Sequence, residues 1–142
     1  MGDSIYNQFE STHCLTKKCI RIINKAGYLD HTDPLFKSTK LLKLEQIYTL
    51  SCAKFIFNCY DSNVYQNFRV RLKQNSDIHK HDTRISSQLR APFERLDSGI
   101  NSFFIKGIRI WNKLPKDIKS AKNIIYFKCK LKKHLLEAEL LL

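Results

Sequence analysis

Residues 102–115, Ser102-Phe103-Phe104-Ile105-Lys106-Gly107-Ile108-Arg109-Ile110-Trp111-Asn112-Lys113-Leu114-Pro115, carry the clearest local signal in the chain. Asn101 or Ser102 offers a side-chain oxygen that can accept from the unpaired N–H groups of a first helical turn. Phe104, Ile108 and Trp111 recur at the spacing of one helix face, while Lys106, Arg109 and Lys113 fall on the other side. Pro115 ends the helix, because a proline pushes the residue before it out of the helical region. Trp111 is the sole tryptophan, and its phase with Phe104 and Ile108 predicts a place in the core rather than against a nucleic-acid base.

Helical spacing recurs outward from this segment. Downstream, a helix starting near Ser120 or Asn123 keeps Ile124, Phe127, Leu131, Leu135 and Ala138 in phase, with Lys128, Lys130, Lys132 and Lys133 on its flanks and back. Upstream, 44–60 places Leu44, Ile47, Tyr48, Cys52, Phe55, Ile56 and Cys59 on one broad side with few charges, which predicts a largely buried helix. From Leu15, the residues Leu15, Cys19, Ile22 and Ala26 suggest an inner stripe opposite Lys17, Lys18, Arg21 and Lys25, with Gly27 as a C-terminal cap. Asp33-Pro34 reads as an N-cap and first position of a short helix. Between 61 and 98 the periodicity is lost, leaving a loop-rich middle with room for one short strand pair near Arg90 to Phe93. The fold expected is mainly α, a small helical bundle: 1–12 poorly ordered, 13–142 one helical domain.

The 142 residues are 43% hydrophobic and 27% charged, with 25 Lys and Arg against 13 Asp and Glu, for a formal charge of +12. The excess is regional: residues 62–133 hold 17 basic and 5 acidic groups, residues 1–61 hold 8 and 6. A local cation surplus suits a phosphate-backbone binder, and a solvated basic surface without a partner is the plainer alternative. No apolar run reaches the roughly 18 residues of a membrane span. Cys14, Cys19, Cys52, Cys59 and Cys129 form no disulfide framework, so an intracellular setting, cytoplasm or nucleus, is expected. Cys19, Cys52, Cys59 and Cys129 sit among apolar positions and are expected as buried thiols.

The residues offer little for catalysis. Two-metal enzymes need carboxylates converging to hold ions about 4 Å apart. Here Tyr60-Asp61 runs into Ser62, and Asp30 and Asp33 flank a turn that they are expected to order. His79-Lys80-His81 lacks the further ligands of a zinc site. No catalytic residue, metal, cofactor or small-molecule substrate is expected. The remaining signal is basic residues interleaved with aromatics: Tyr65, Phe68, Arg69, Arg71 and Lys73, then His79, His81 and Arg84, then Arg90, Phe93 and Arg95. Guanidinium groups grip phosphates and rings stack on exposed bases, although such aromatics can equally pin a solvated loop to a core.

Several blocks together resemble one family. Lys17-Lys18-Cys19-Ile20-Arg21-Ile22-Ile23, His31-Thr32-Asp33-Pro34-Leu35-Phe36 and Leu42-Lys43-Leu44 look like the region just downstream of the polymerase core in jockey-like non-LTR retrotransposons. His79 to Arg84 resembles that family's histidine to threonine-arginine motif. Ser102-Phe103-Phe104, Gly107 and Trp111-Asn112-Lys113-Leu114-Pro115 resemble its signature ending in Trp-Asn-x-Leu-Pro, with Ile108 after the glycine where many members have proline or alanine. The order is the family's over roughly residues 13–136. The resemblance implies a thumb-like C-terminal fragment of a reverse transcriptase, an RNA-directed DNA polymerase, without the catalytic aspartates. Such a fragment would hold RNA or DNA template-primer through Lys17, Lys18, Arg21, Lys106, Arg109 and Lys113 on helices and Arg69, Arg71, His79, His81 and Arg84 in a loop. The alternative is a structural segment that docks on upstream polymerase domains and has no activity of its own.

Overall fold

The computed structural model describes residues 2–61, 65–78, 84–93, 95, 96, 99 and 102–138, and the protein is mainly helical. The helices are α1 (Gly2–Ile23), α2 (Thr32–Thr39), α3 (Leu44–Asp61), α4 (Gln66–Arg69), α5 (Phe103–Lys113), α6 (Lys116–Lys119) and α7 (Ile124–Ala138). Residues 2–12, expected to be irregular, extend α1 to its start at Gly2. The chain divides into two compact units: unit 1 is Met1–Ile47 with Lys132–Leu142, and unit 2 is Tyr48–Leu131.

Unit 2 is organised around the side chains of α3. Cys52, Ala53, Ile56, Phe57 and Cys59 are buried on it, and so are Phe104, Ile105, Ile108 and Trp111 of α5, Ile118 of α6 and Phe127 and Leu131 of α7. The Phe57 and Phe127 rings stack with centroids 4.6 Å apart, and Trp111 lies 5.8 Å from Phe127 and 5.6 Å from Tyr60. Phe55 is edge-on to Tyr65, Phe68, Phe103 and Phe104. Such pairs add to the apolar burial that each ring already contributes. Gly107 lets α5 approach α3 closely: a Cβ there would meet Ile56 Cγ1 at 3.0 Å and the Cys52 carbonyl at 3.3 Å. Ser102 caps α5 by accepting from the Ile105 N–H, and Asn123 caps α7 by accepting from the Tyr126 N–H at 2.8 Å.

The middle of the chain is ordered by hydrogen bonds more than by apolar burial. Gln74 and Leu89 form an isolated antiparallel bridge, a little upstream of the strand pair expected near Arg90 to Phe93. Arg90 N–H donates to the Lys73 carbonyl, and Asn75 N–H to the Gln88 carbonyl. Asn112 then locks this arm onto α5. Its Oδ1 accepts from the Leu89 N–H at 2.9 Å and its Nδ2 donates to the Leu89 carbonyl at 2.8 Å. Leu89 is buried, so the Asn112 amide satisfies both backbone groups at a point that water does not reach freely.

Unit 1 packs α1 against α2, and here the expected inner stripe is reversed. Among the residues of α1 whose side chains are described, Ile20 is the buried one, with Phe36 and Thr32 of α2. His13, Thr16, Lys17 and Asn24 share the half-buried side of Ile20, whereas Leu15, Cys19 and Ile22 point to solvent. Cys129 is also exposed, so of the four thiols expected inside only Cys52 and Cys59 are. Gly27 does not cap α1. Lys25 takes the left-handed conformation, φ 50°, while Lys25 N–H bonds the Ile22 carbonyl and Ala26 N–H the Arg21 carbonyl, a Schellman closure without glycine. Lys40, φ 53°, closes α2 in the same way. Gly27 N–H instead donates to the Asp30 carboxylate at 2.6 Å, so Asp30 orders the turn as expected. Asp33 lies in the first turn of α2, with His31 as the N-cap two residues earlier than the sequence suggests, and it pairs with Lys43 at 2.8 Å.

Candidate nucleic-acid interface

The charge is divided unequally between the units. Unit 2 holds 16 Lys and Arg against 6 Asp and Glu, and unit 1 holds 9 against 7. Positions on α5 place Lys106, Arg109 and Lys113 within about 60° of one another around the helix axis, opposite the buried Phe104, Ile108 and Trp111. Arg109 and Lys113 are exposed; Lys106 is half-buried with its ammonium 5.8 Å from the Tyr48 ring centre. Arg71 is exposed but lies over the Phe104 ring at 5.3 Å, a contact that fixes a guanidinium plane at the surface. Arg69 and Arg84 are exposed. His79 and His81 lie outside the described residues.

Two lysines of this unit have internal work. Lys119 Nζ donates to the Asn112 carbonyl at 3.2 Å at the end of α5, and burial, with Lys116 nearby, lowers its pKa. Lys130 Nζ donates to the Asp117 carbonyl at 3.1 Å and stands 4.9 Å from the Tyr126 ring centre. Lys119 closes a carbonyl group at the C-terminal end of α5, where a cation is also favoured by the helix dipole. Neither helical role was visible in the sequence, since partners seven and thirteen residues away leave no local pattern.

The three cations expected on α1 belong to unit 1. Lys18 is exposed. Lys17 is half-buried on a crevice of about 140 Å³ that Thr16, Thr32, Asp33, Lys43 and Glu45 also line. Asp33 is held below the ordinary carboxylate range by its hydrogen bond and ion pair with Lys43. With two lysines facing two carboxylates, the crevice is not a cationic pocket. Arg21 spends its Nε on the Asp30 carbonyl at 2.9 Å.

Among the described residues no group of three His, Cys, Asp or Glu could hold a metal ion. Burial raises the pKa of the Cys52 and Cys59 thiols, which disfavours the nucleophilic thiolate. No described helix is long and apolar enough to cross a membrane. Compared with known protein families, with curated proteins and with solved structures, the chain matches none.

Proposed function

We propose that this chain is a non-catalytic nucleic-acid-binding segment that grips the phosphate backbone without reading sequence. The resemblance of its ordered motifs supports reading it as the C-terminal fragment of a non-LTR retrotransposon reverse transcriptase. The observation that carries the binding reading is the concentration of cations in unit 2, with Lys106, Arg109 and Lys113 on one side of α5 whose other side is core. Positions held by a packed helix present charge at fixed spacing, so little ordering entropy opposes phosphate contact. Exposed Arg69, Arg71 and Arg84 supply further contacts from the middle of the chain.

Counterion release makes the reading measurable. Binding to labelled single-stranded RNA, duplex DNA and an RNA:DNA hybrid is expected to weaken steeply with salt, with log K against log salt falling by about 0.9 per phosphate contacted on duplex DNA. Replacing Lys106, Arg109 and Lys113 together by alanine is expected to reduce that slope by about 3. Affinity that stays flat from low to moderate salt, or a slope unmoved by the triple substitution, overturns the assignment to this face.

A further inference from the structure

The outward side of α1 carries an apolar stripe over its second half, although the helix is packed on its other side. Leu15 is 56% exposed, Ile22 76% and Ile23 64%, with exposed Cys19 between them, while Ile20 on the packed side is 2% exposed. At 100° per residue, Ile22 and Cys19 lie within about 40° of Leu15, and Ile23 within about 80°. Just past the helix, Tyr28 and Leu29 are 78% and 88% exposed. Scattered apolar residues are ordinary on a surface, but a stripe at i, i+4 and i+7 is the seam by which one helix packs on another.

The border of the stripe says what kind of helix fits. Lys18 sits about 60° from Leu15 on the Ile22 side, with Arg21 beyond it, and Lys25 follows at the helix end. Glu10 lies on the far side of the helix, and the Asp30 carboxylate is already engaged by Gly27 N–H. A second copy of the chain would bring the same cations, and another +12, against this border. Like charges at a seam oppose pairing as strongly as opposite charges favour it. A membrane surface is held in proportion to the apolar area a helix buries, and here the stripe is about two turns long, its line continuing toward the start of α1 as exposed Gln8, Ser11 and Thr12.

We propose that the Leu15–Cys19–Ile22 face of α1 is a docking seam for an amphipathic helix of a protein partner whose apolar stripe is bordered by carboxylates. This surface is independent of the phosphate contacts assigned to unit 2.

The test uses the whole chain and two designed helical peptides that share one leucine seam, flanked by glutamates in one and by lysines in the other. By fluorescence anisotropy the glutamate peptide is expected to bind at least tenfold more tightly. Leu15→Ser with Ile22→Ser leaves every charge in place, alters only exposed positions and is expected to weaken that binding at least tenfold. Lys18→Glu with Lys25→Glu is expected to reverse the preference between the peptides. Equal affinity for the two peptides, or glutamate-peptide binding that survives the serine pair, overturns the proposal. So does a sedimenting dimer of the chain, or attachment to phosphatidylserine vesicles, that the serine pair abolishes.

Discussion

Unit 2 joins a large aromatic core to a strong positive charge, whereas unit 1 carries almost no net charge, has a small core and exposes apolar residues in line along a helix. All the aromatic pairs among the described residues lie in unit 2, joining α3, α4, α5 and α7 through Phe55, Phe57, Trp111 and Phe127. In unit 1 the buried apolar side chains are Ile20 and Phe36, helped by buried Thr32 and by the exposed-edge ion pair of Asp33 with Lys43. Whole-chain composition averages these two designs into an ordinary hydrophobic fraction and a high positive charge. The difference teaches that the cations gather on the unit with the larger core, while unit 1 leaves an apolar stripe aligned along α1.

The sharpest way to break this comparison is to remove the ring at the centre of unit 2. Phe127 is fully buried and stacked on Phe57. Phe127→Ala is expected to destabilise unit 2 by about 3–5 kcal/mol, from lost transfer energy and the cavity left behind. Hydrogen exchange at the Cys52, Ile56 and Cys59 amides reads that loss directly. A change below about 1 kcal/mol, within the range of ordinary surface substitutions, would mean that unit 2 does not depend on its aromatic stack.

The next effect in size concerns the arm held by Asn112. Asn112→Ala leaves the Leu89 N–H and carbonyl without partners at a buried residue, at a cost of about 2–3 kcal/mol. Exchange of the Leu89 and Arg90 amides is expected to speed up more than that of the α7 amides. If the whole unit loosened evenly, Asn112 would be part of the core rather than a latch for the 73–90 arm.

Legibility in the sequence follows the same division. α5 was readable because its two sides differ in chemistry: Phe104, Ile108 and Trp111 are buried, and Arg109 and Lys113 are exposed. α1 misled because periodicity marks an apolar stripe without saying which neighbour covers it. The side of α1 that α2 meets is built from Ile20 and polar residues whose bonds stay local, Thr16 Oγ1 to the His13 carbonyl and Asn24 Nδ2 to the Ile20 carbonyl. The Asn112 latch was hidden for another reason. Its partner is 23 residues away, and the only local hint was an asparagine, a poor helix former, in the last turn of a strongly periodic helix. For the candidate interface, the sequence placed the α5 cations on one side, yet it could not separate free cations from Lys119 and Lys130, which serve carbonyl groups.

The smallest expected effect sharpens the comparison at the level of the backbone. Lys25 and Lys40 are the non-glycine residues with positive φ among the described residues, and both belong to unit 1. A left-handed conformation costs a residue with a Cβ roughly 1–2 kcal/mol. Glycine removes that strain but loses more unfolded-chain entropy, roughly 0.5–1 kcal/mol. Lys25→Gly and Lys40→Gly are therefore each expected to stabilise unit 1 by about 0.5–1 kcal/mol, read as slower exchange at the last amides of α1 and α2. A neutral or negative result would show that each ammonium returns about as much as the strain removes, through the negative end of the helix dipole beside it. In that case the lysines close their helices by charge, and the looser construction of unit 1 resides in its uncovered α1 face rather than in its helix ends.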